Sequence, residues 1–187
     1  MRKTLLALAI FGVSAGSVSA ASYDLDPAHT YPNFTINHLG FSTMHGHFAK
    51  TTGSLELDVA KKTGSVEVTI DAASVYTGFA KRDEHLRSAD FFNVVEFPTI
   101  TFKSTKVKFT SDKTAEVEGD LTIVGKSKSV TLMVNNIVCG AHPMNKKEMC
   151  GFDATTKIKR SDFGVKFGLP AVGDDVSIEL EVEAMKK

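Results

Sequence analysis

Six histidines, two cysteines and thirteen phenylalanines are the residues of this 187-residue chain with chemistry to offer, and their spacing decides which chemistry that is. His45 and His47 stand at i and i+2, so on a strand both imidazoles point to one face and could share a zinc or copper ion. Two ligands do not make a site, and a third would have to come from His38 or His29; no metal is assigned. Cys139, His142 and Cys150 form a second grouping, but structural zinc prefers four ligands at tighter cysteine spacing, and no CxxC is present for redox work. No Ser/His/Asp order, glycosidase-like carboxylate pair, phosphate-cradling glycine loop or zincin motif occurs, so no catalytic machinery is visible. The phenylalanines, in a chain without Trp, supply flat apolar surface with no polar atom to satisfy; this suits a core and an apolar ligand alike.

Composition narrows the classes. Lys and Arg number 22 against 22 Asp and Glu, and 42% of residues are apolar, which argues against a nucleic-acid binder and against an acidic disordered chain. The length suits one domain with a real core. Residues 1–20 read as a secretory signal peptide: Arg2 and Lys3, then an apolar run from Leu5 to Val13, then Val18-Ser19-Ala20. The run is far shorter than the ~20 residues that cross a bilayer. No Cys follows the small residues to carry a lipid. The domain is therefore expected over residues 21–187, in the periplasm, with secretion the alternative. In such an oxidising compartment Cys139 and Cys150 are expected to pair and staple a hairpin loop.

Strands must position these residues. Val66, Val68 and Ile70 alternate with Glu67, Thr69 and Asp71, and Val176 to Ala184 alternates the same way, each giving one wet and one dry face. Similar runs surround Phe34 and Ile36, Leu55 to Val59, Ile100 and Phe102, Val117 to Ile123, Val130 to Val134 and, more weakly, Gly151 to Arg160, for about eight strands. Turn chemistry separates them at Lys61–Gly64, Ser111–Lys113, Gly125–Lys128 and Val172–Asp175. Between Lys81 and Val94 the alternation stops, and Lys81–Arg87 predicts one short helix crossing between the third and fourth strands. Antiparallel strands with one-sided burial are best closed into a barrel, which removes exposed edges. The expected fold is all-β, an eight-stranded antiparallel barrel whose lumen takes either packed side chains or one slender ligand.

Several strings, spread over nearly the whole domain, resemble the YceI-like family of exported lipocalin-type proteins. They are Tyr23-Asp24-Leu25-Asp26-Pro27-Ala28-His29-Thr30 with Phe34, Ile36 and Asn37-His38-Leu39-Gly40; His85-Leu86-Arg87-Ser88-Ala89-Asp90-Phe91-Phe92; Phe97-Pro98-Thr99-Ile100-Thr101-Phe102-Lys103-Ser104; Gly119 to Gly125; and Ile158 to Val165. Thr30 stands where the family often has Ser, and Val124 where His is frequent before the glycine.

The resemblance implies a tunnel along the barrel axis for a long amphiphile, a polyprenyl phosphate or isoprenoid quinone, with no catalysis and no cofactor. It also implies homodimers in some members. A carrier of such a lipid would touch membranes transiently. Within that reading Phe34, Ile36, Ile100, Phe102, Leu121, Ile123 and Leu132 are tunnel-wall residues, with Phe48 beside them; Phe91, Phe92 and Phe163 belong to a rim or lid. Polar contacts to a head group fall to His38, His85, Arg160, Ser104 or Asp162. The alternative is an exported interaction or adhesion module whose barrel is filled by its own side chains.

Overall fold

A computed structural model describes residues 20–187. The expected leader lies outside them except for Ala20. Eleven strands form one sheet: β1 (Ala21–Leu25), β2 (Tyr31–His38), β3 (Ser42–Phe48), β4 (Thr51–Asp58), β5 (Thr63–Asp71), β6 (Val75–Tyr76), β7 (Thr99–Phe109), β8 (Ala115–Ile123), β9 (Lys126–Ala141), β10 (Glu148–Lys159) and β11 (Val172–Lys186). One helix, α1 (Ala80–Arg87), separates β6 from β7. All pairings are antiparallel, and β11 meets both β1 and β2. Because β1 pairs with β4 while β2 pairs with β3, the segments β1/β2 and β3/β4 are each one long strand with a break. The same holds for β5/β6, which pair with β4 and β3 respectively. Counted this way the chain is an eight-stranded up-and-down barrel, closed where the last strand meets the first.

The breaks lie side by side. Asp26–Thr30, Ala49–Lys50 and the 3-10 turn Ala72–Ser74 form a crease across three neighbouring strands, sewn by Ala49 N–H to Ser74 O at 3.1 Å and Asp71 N–H to Lys50 O at 3.0 Å. Small buried residues, Thr30, Thr51 and Ala72, let the wall bend there. Two sequence expectations change. Val172–Asp175 is not a free turn but the irregular start of β11, where the register to β2 shifts. Gly173 and Asp174 serve the neighbouring Arg160–Phe163 turn there, which explains their turn-like composition. The β8–β9 turn is also tighter than Gly125–Lys128: it consists of Val124 (φ 48°) and Gly125 (φ 67°), and β9 starts at Lys126. A β-branched residue is strained at that φ, and Val124 keeps the position by packing on the core.

Helix α1 is held by polar anchors. The buried Asp83 carboxylate accepts from the backbone N–H and hydroxyl of Thr77, while Arg87 donates to the carbonyls of Ala73 at 2.7 Å and Val75 at 3.0 Å. At the far end of the barrel the Tyr23 hydroxyl donates to Glu148 at 2.7 Å, and burial with this carboxylate pushes its pKa up to about 12.

Cys139 and Cys150 are joined in a disulfide, facing each other in the β9–β10 register. The pairing expected from the sequence is therefore present. The bridge closes a short loop, which on chain entropy stabilises the fold by about 3 kcal/mol. Denaturant unfolding with and without reductant should differ by about that amount, and the Cys139→Ser/Cys150→Ser variant should match the reduced protein.

Candidate functional site: an apolar axial tunnel

Inward-facing residues do not fill the barrel. A cavity of about 660 Å³ runs along the axis, lined almost entirely by hydrocarbon. Its floor is Leu25, Leu55, Leu57, Phe109 and Phe152, at the end where Tyr23, Cys150 and Ala184 close the packing. At the opposite end, where α1 and the 164–171 loop sit, Phe79 and Phe167 line the cavity and are still about half exposed, at 56% and 49%. This end is the mouth.

Two glycines explain why the axis stays clear. Gly46 on β3 and Gly119 on β8 lie on the inner face, and a methyl group at either would stand 2.4 Å from the Cζ atom of Phe34 or Phe102. Each ring therefore lies down over a glycine on the neighbouring strand. The phenylalanines become wall instead of filling. Phe34, Phe48 and Phe92 continue this lining as a chain of rings, with centroids 5.8 and 5.4 Å apart.

The wall residues read from the sequence, Phe34, Ile36, Phe48, Ile100, Phe102, Leu121, Ile123 and Leu132, all face the cavity. So do His38, His85, Phe91, Phe92, Arg160 and Phe163. Phe163 is almost fully buried at 1% exposure, beneath the mouth. Ser104 and Asp162 do not line the cavity; the Ser104 hydroxyl accepts from the Val66 N–H at 2.9 Å. Sequence reading missed Phe79, Arg82 and Leu86 at the mouth, because the region lacks alternation and its placement depends on how α1 folds back. It also left the floor residues unassigned, although Leu55 and Leu57 sit on a dry face.

At the mouth His85, Phe91 and Phe167 pack edge to face with centroids 5.0 to 5.4 Å apart, and His85 Nε2 lies 2.8 Å from Asp90. Arg160 begins the 3-10 turn Arg160–Phe163 and is buried. Its guanidinium donates to the carbonyls of Gly173 (2.8 Å), Val165 (3.2 Å), Phe167 (2.8 Å) and Val172 (3.0 Å). It clamps the mouth loop, and of its five N–H donors one is left for a ligand. Burial lowers its pKa below the ordinary value, opposed by the Asp174 carboxylate. Asp174 in turn accepts from Ser161 N–H and Oγ at 2.9 and 2.8 Å, bonds that hold its own pKa down.

Of the other reactive groupings only His45 borders the tunnel. His47 sits against the rings of Tyr31 and Tyr76, and His142 Nδ1 accepts from the N–H groups of Met144 and Asn145 in the β9–β10 loop. Asp26, His29 and Glu183 gather at the crease, with His29 Nδ1 at 2.8 Å from Asp26 and 3.8 Å from Glu183. The hydrogen bond to Asp26 raises the His29 pKa above its ordinary value, and the same bond lowers that of Asp26. The stabilisation from His29 is complete below about pH 6.5 and fades as pH rises through its raised pKa; that from Asp26 is complete above about pH 4 and fades as pH falls through its lowered one. By NMR, His29 should titrate above the ordinary histidine value and move back toward it in Asp26→Asn, where the Glu183 carboxylate still acts.

A small closed antiparallel barrel around an apolar axial tunnel defines a lipocalin-like barrel protein. The model of the YceI-like domain matches residues 23–184, and the chain belongs to the YceI-like family. It is 40% identical over 192 residues to Protein YceI of Escherichia coli O157:H7, covering all of both chains. Among solved structures it resembles BcnA of Burkholderia cenocepacia, with 28% identity, a TM-score of 0.76 and coverage of 85% of this chain and 98% of that one. It shares its fold with a domain of Saccharophagus degradans described as polyisoprenoid binding, with 16% identity, a TM-score of 0.64 and coverage of 90% and 99%.

Proposed function

We propose that this protein is a periplasmic carrier or storage protein that holds a long isoprenoid lipid, a polyprenyl phosphate or an isoprenoid quinone, in the barrel tunnel. The observation that carries the reading is the cavity of about 660 Å³ with hydrocarbon walls and half-exposed Phe79 and Phe167 at its mouth. Burying a methylene is worth about 0.8 kcal/mol against water, so a five-carbon isoprene unit gains on the order of 3–4 kcal/mol. Against a bilayer the gain nearly vanishes, so selectivity rests on tunnel length, tunnel shape and the few polar groups at the mouth. His38, His85 and the remaining N–H of Arg160 are the head-group contacts in this reading. The polyisoprenoid binding ascribed to the Saccharophagus degradans domain supports it by analogy of fold, and the disulfide suits an oxidising compartment.

The test is purification from the native periplasm without detergent, organic extraction, and mass spectrometry against a mock purification. A stoichiometric isoprenoid is expected. An empty extract from folded protein, or protein retained in the cytoplasm, overturns the reading.

A further inference from the structure

Neighbouring strands of the barrel part company at two places. Between β9 and β10 the ladder ends at Met133 and Thr155, although both strands run on: 126–132 pairs with β8 alone and 156–159 with β11 alone. The Thr156 hydroxyl donates to the Thr131 carbonyl at 2.8 Å where they separate. Between β5 and β7 the ladder ends at Glu67 and Lys103, and beyond it 63–66 pairs with β4 alone and 106–109 with β8 alone. A hydroxyl stands at this fork too, Ser104 Oγ accepting from Val66 N–H at 2.9 Å, and the bulge between Ser104 and Lys106 turns β7 away.

The two forks differ in what occupies them. The first is at the mouth end, where the turn Arg160–Phe163 follows β10 and places Phe163, 1% exposed, in one packed cluster with Val130, Leu132 and Ile158. The second is at the floor end, and the tunnel borders both of its lips: Gly64, Ser65 and Val66 on β5, Val107 and Phe109 on β7. Gly64 and Ser65 are too small to close a gap, and Ser65 is exposed to solvent. Hydrocarbon wall thus leads up to a place where the strands no longer meet. At the turn tips the lips are tied by Lys62 Nζ to Asp112 at 2.9 Å, a solvent-exposed ion pair of the kind that holds little.

We infer that the fork between β5 and β7 is a second, lateral port of the tunnel, through which the tail of an isoprenoid chain longer than the barrel leaves while its polar end stays at the mouth. This rests on the lipid-carrier reading and adds to it a direction and a size rule. In a blind tunnel a longer chain has to fold back or lift its polar end off His38, His85 and Arg160. With a port, the methylenes beyond the fork return to water and add nothing to affinity, while those inside and the polar contacts are kept.

The test uses the wild-type protein and two probes, geranylgeraniol and undecaprenol, each with a photoreactive diazirine on the isoprene unit farthest from the hydroxyl. The extended undecaprenol chain is longer than an eight-stranded barrel is tall. After irradiation and proteolysis, mass spectrometry locates the label, and excess unlabelled undecaprenol shows which labelling is competed. The short probe should mark the tunnel interior. The long probe should mark the outer side of the port, Ser65, Lys106, Lys108 and the 110–114 turn, in several-fold excess over Phe79 and Phe167 at the mouth. Label from the long probe confined to the interior, or found at the mouth, overturns the port. Competed label from neither probe in folded protein removes the carrier reading itself, an outcome distinct from a tunnel that is merely blind.

Discussion

Leu121→Trp is expected to empty the barrel of lipid and leave it folded. Leu121 lies on the inner face of β8, opposite Phe102 in the register and on the cavity wall. An indole there reaches across a lumen only wide enough for one chain. Overpacking a dense core costs about 1–3 kcal/mol because neighbours have to move. Here the added ring enters open hydrocarbon-lined space and gains dispersion contacts, so the melting temperature should change little while the lipid extracted per protein falls to near zero. The extraction and a thermal melt on the same sample decide the matter. Unchanged stoichiometry would mean that the ligand does not use this stretch of wall.

The second large effect is expected at Arg160. Removing its side chain strips four carbonyls of their donor and frees the segment 164–173. Hydrogen bonds to a charged group are worth about 1.5–3 kcal/mol each and are not additive within one fork, so Arg160→Ala should destabilise by about 3–5 kcal/mol. Arg160→Lys separates two roles. An ammonium keeps the charge but cannot span four carbonyls, so a clamp predicts nearly the same loss of stability and faster amide exchange across 164–173. A residue whose main work is attracting an anionic head group would instead be rescued by lysine, with stability and lipid content restored together.

The eight strands could be read from the chain because inner and outer faces alternate locally, as in Val66–Asp71 and Val176–Ala184. The helix could be read because alternation fails from Lys81 onward. The breaks in three strands could not, since Asp26–Thr30 differs from a hairpin turn only in which distant strands pair on either side of it. Nor could the tunnel. Alternation identifies Phe102 and Gly119 as inward, but that the ring lies over the glycine depends on cross-strand register. Val172–Asp175 misled for a related reason: Gly173 and Asp174 have turn chemistry, used to satisfy Arg160 and Ser161 from inside a strand.

The rings parked over Gly46 and Gly119 also bear on how such a barrel diversifies. Its bore is not fixed by strand number and tilt alone; two hydrogen atoms hold it open. A single methyl at Gly46 meets only side chains and would swing the Phe34 ring toward the axis, dividing one long compartment into shorter ones, whereas at Gly119 it would also press on the Lys103 backbone carbonyl. Calibre and length of cargo can thus drift by substitutions invisible to the sheet, so one scaffold is able to suit hydrocarbons of quite different size.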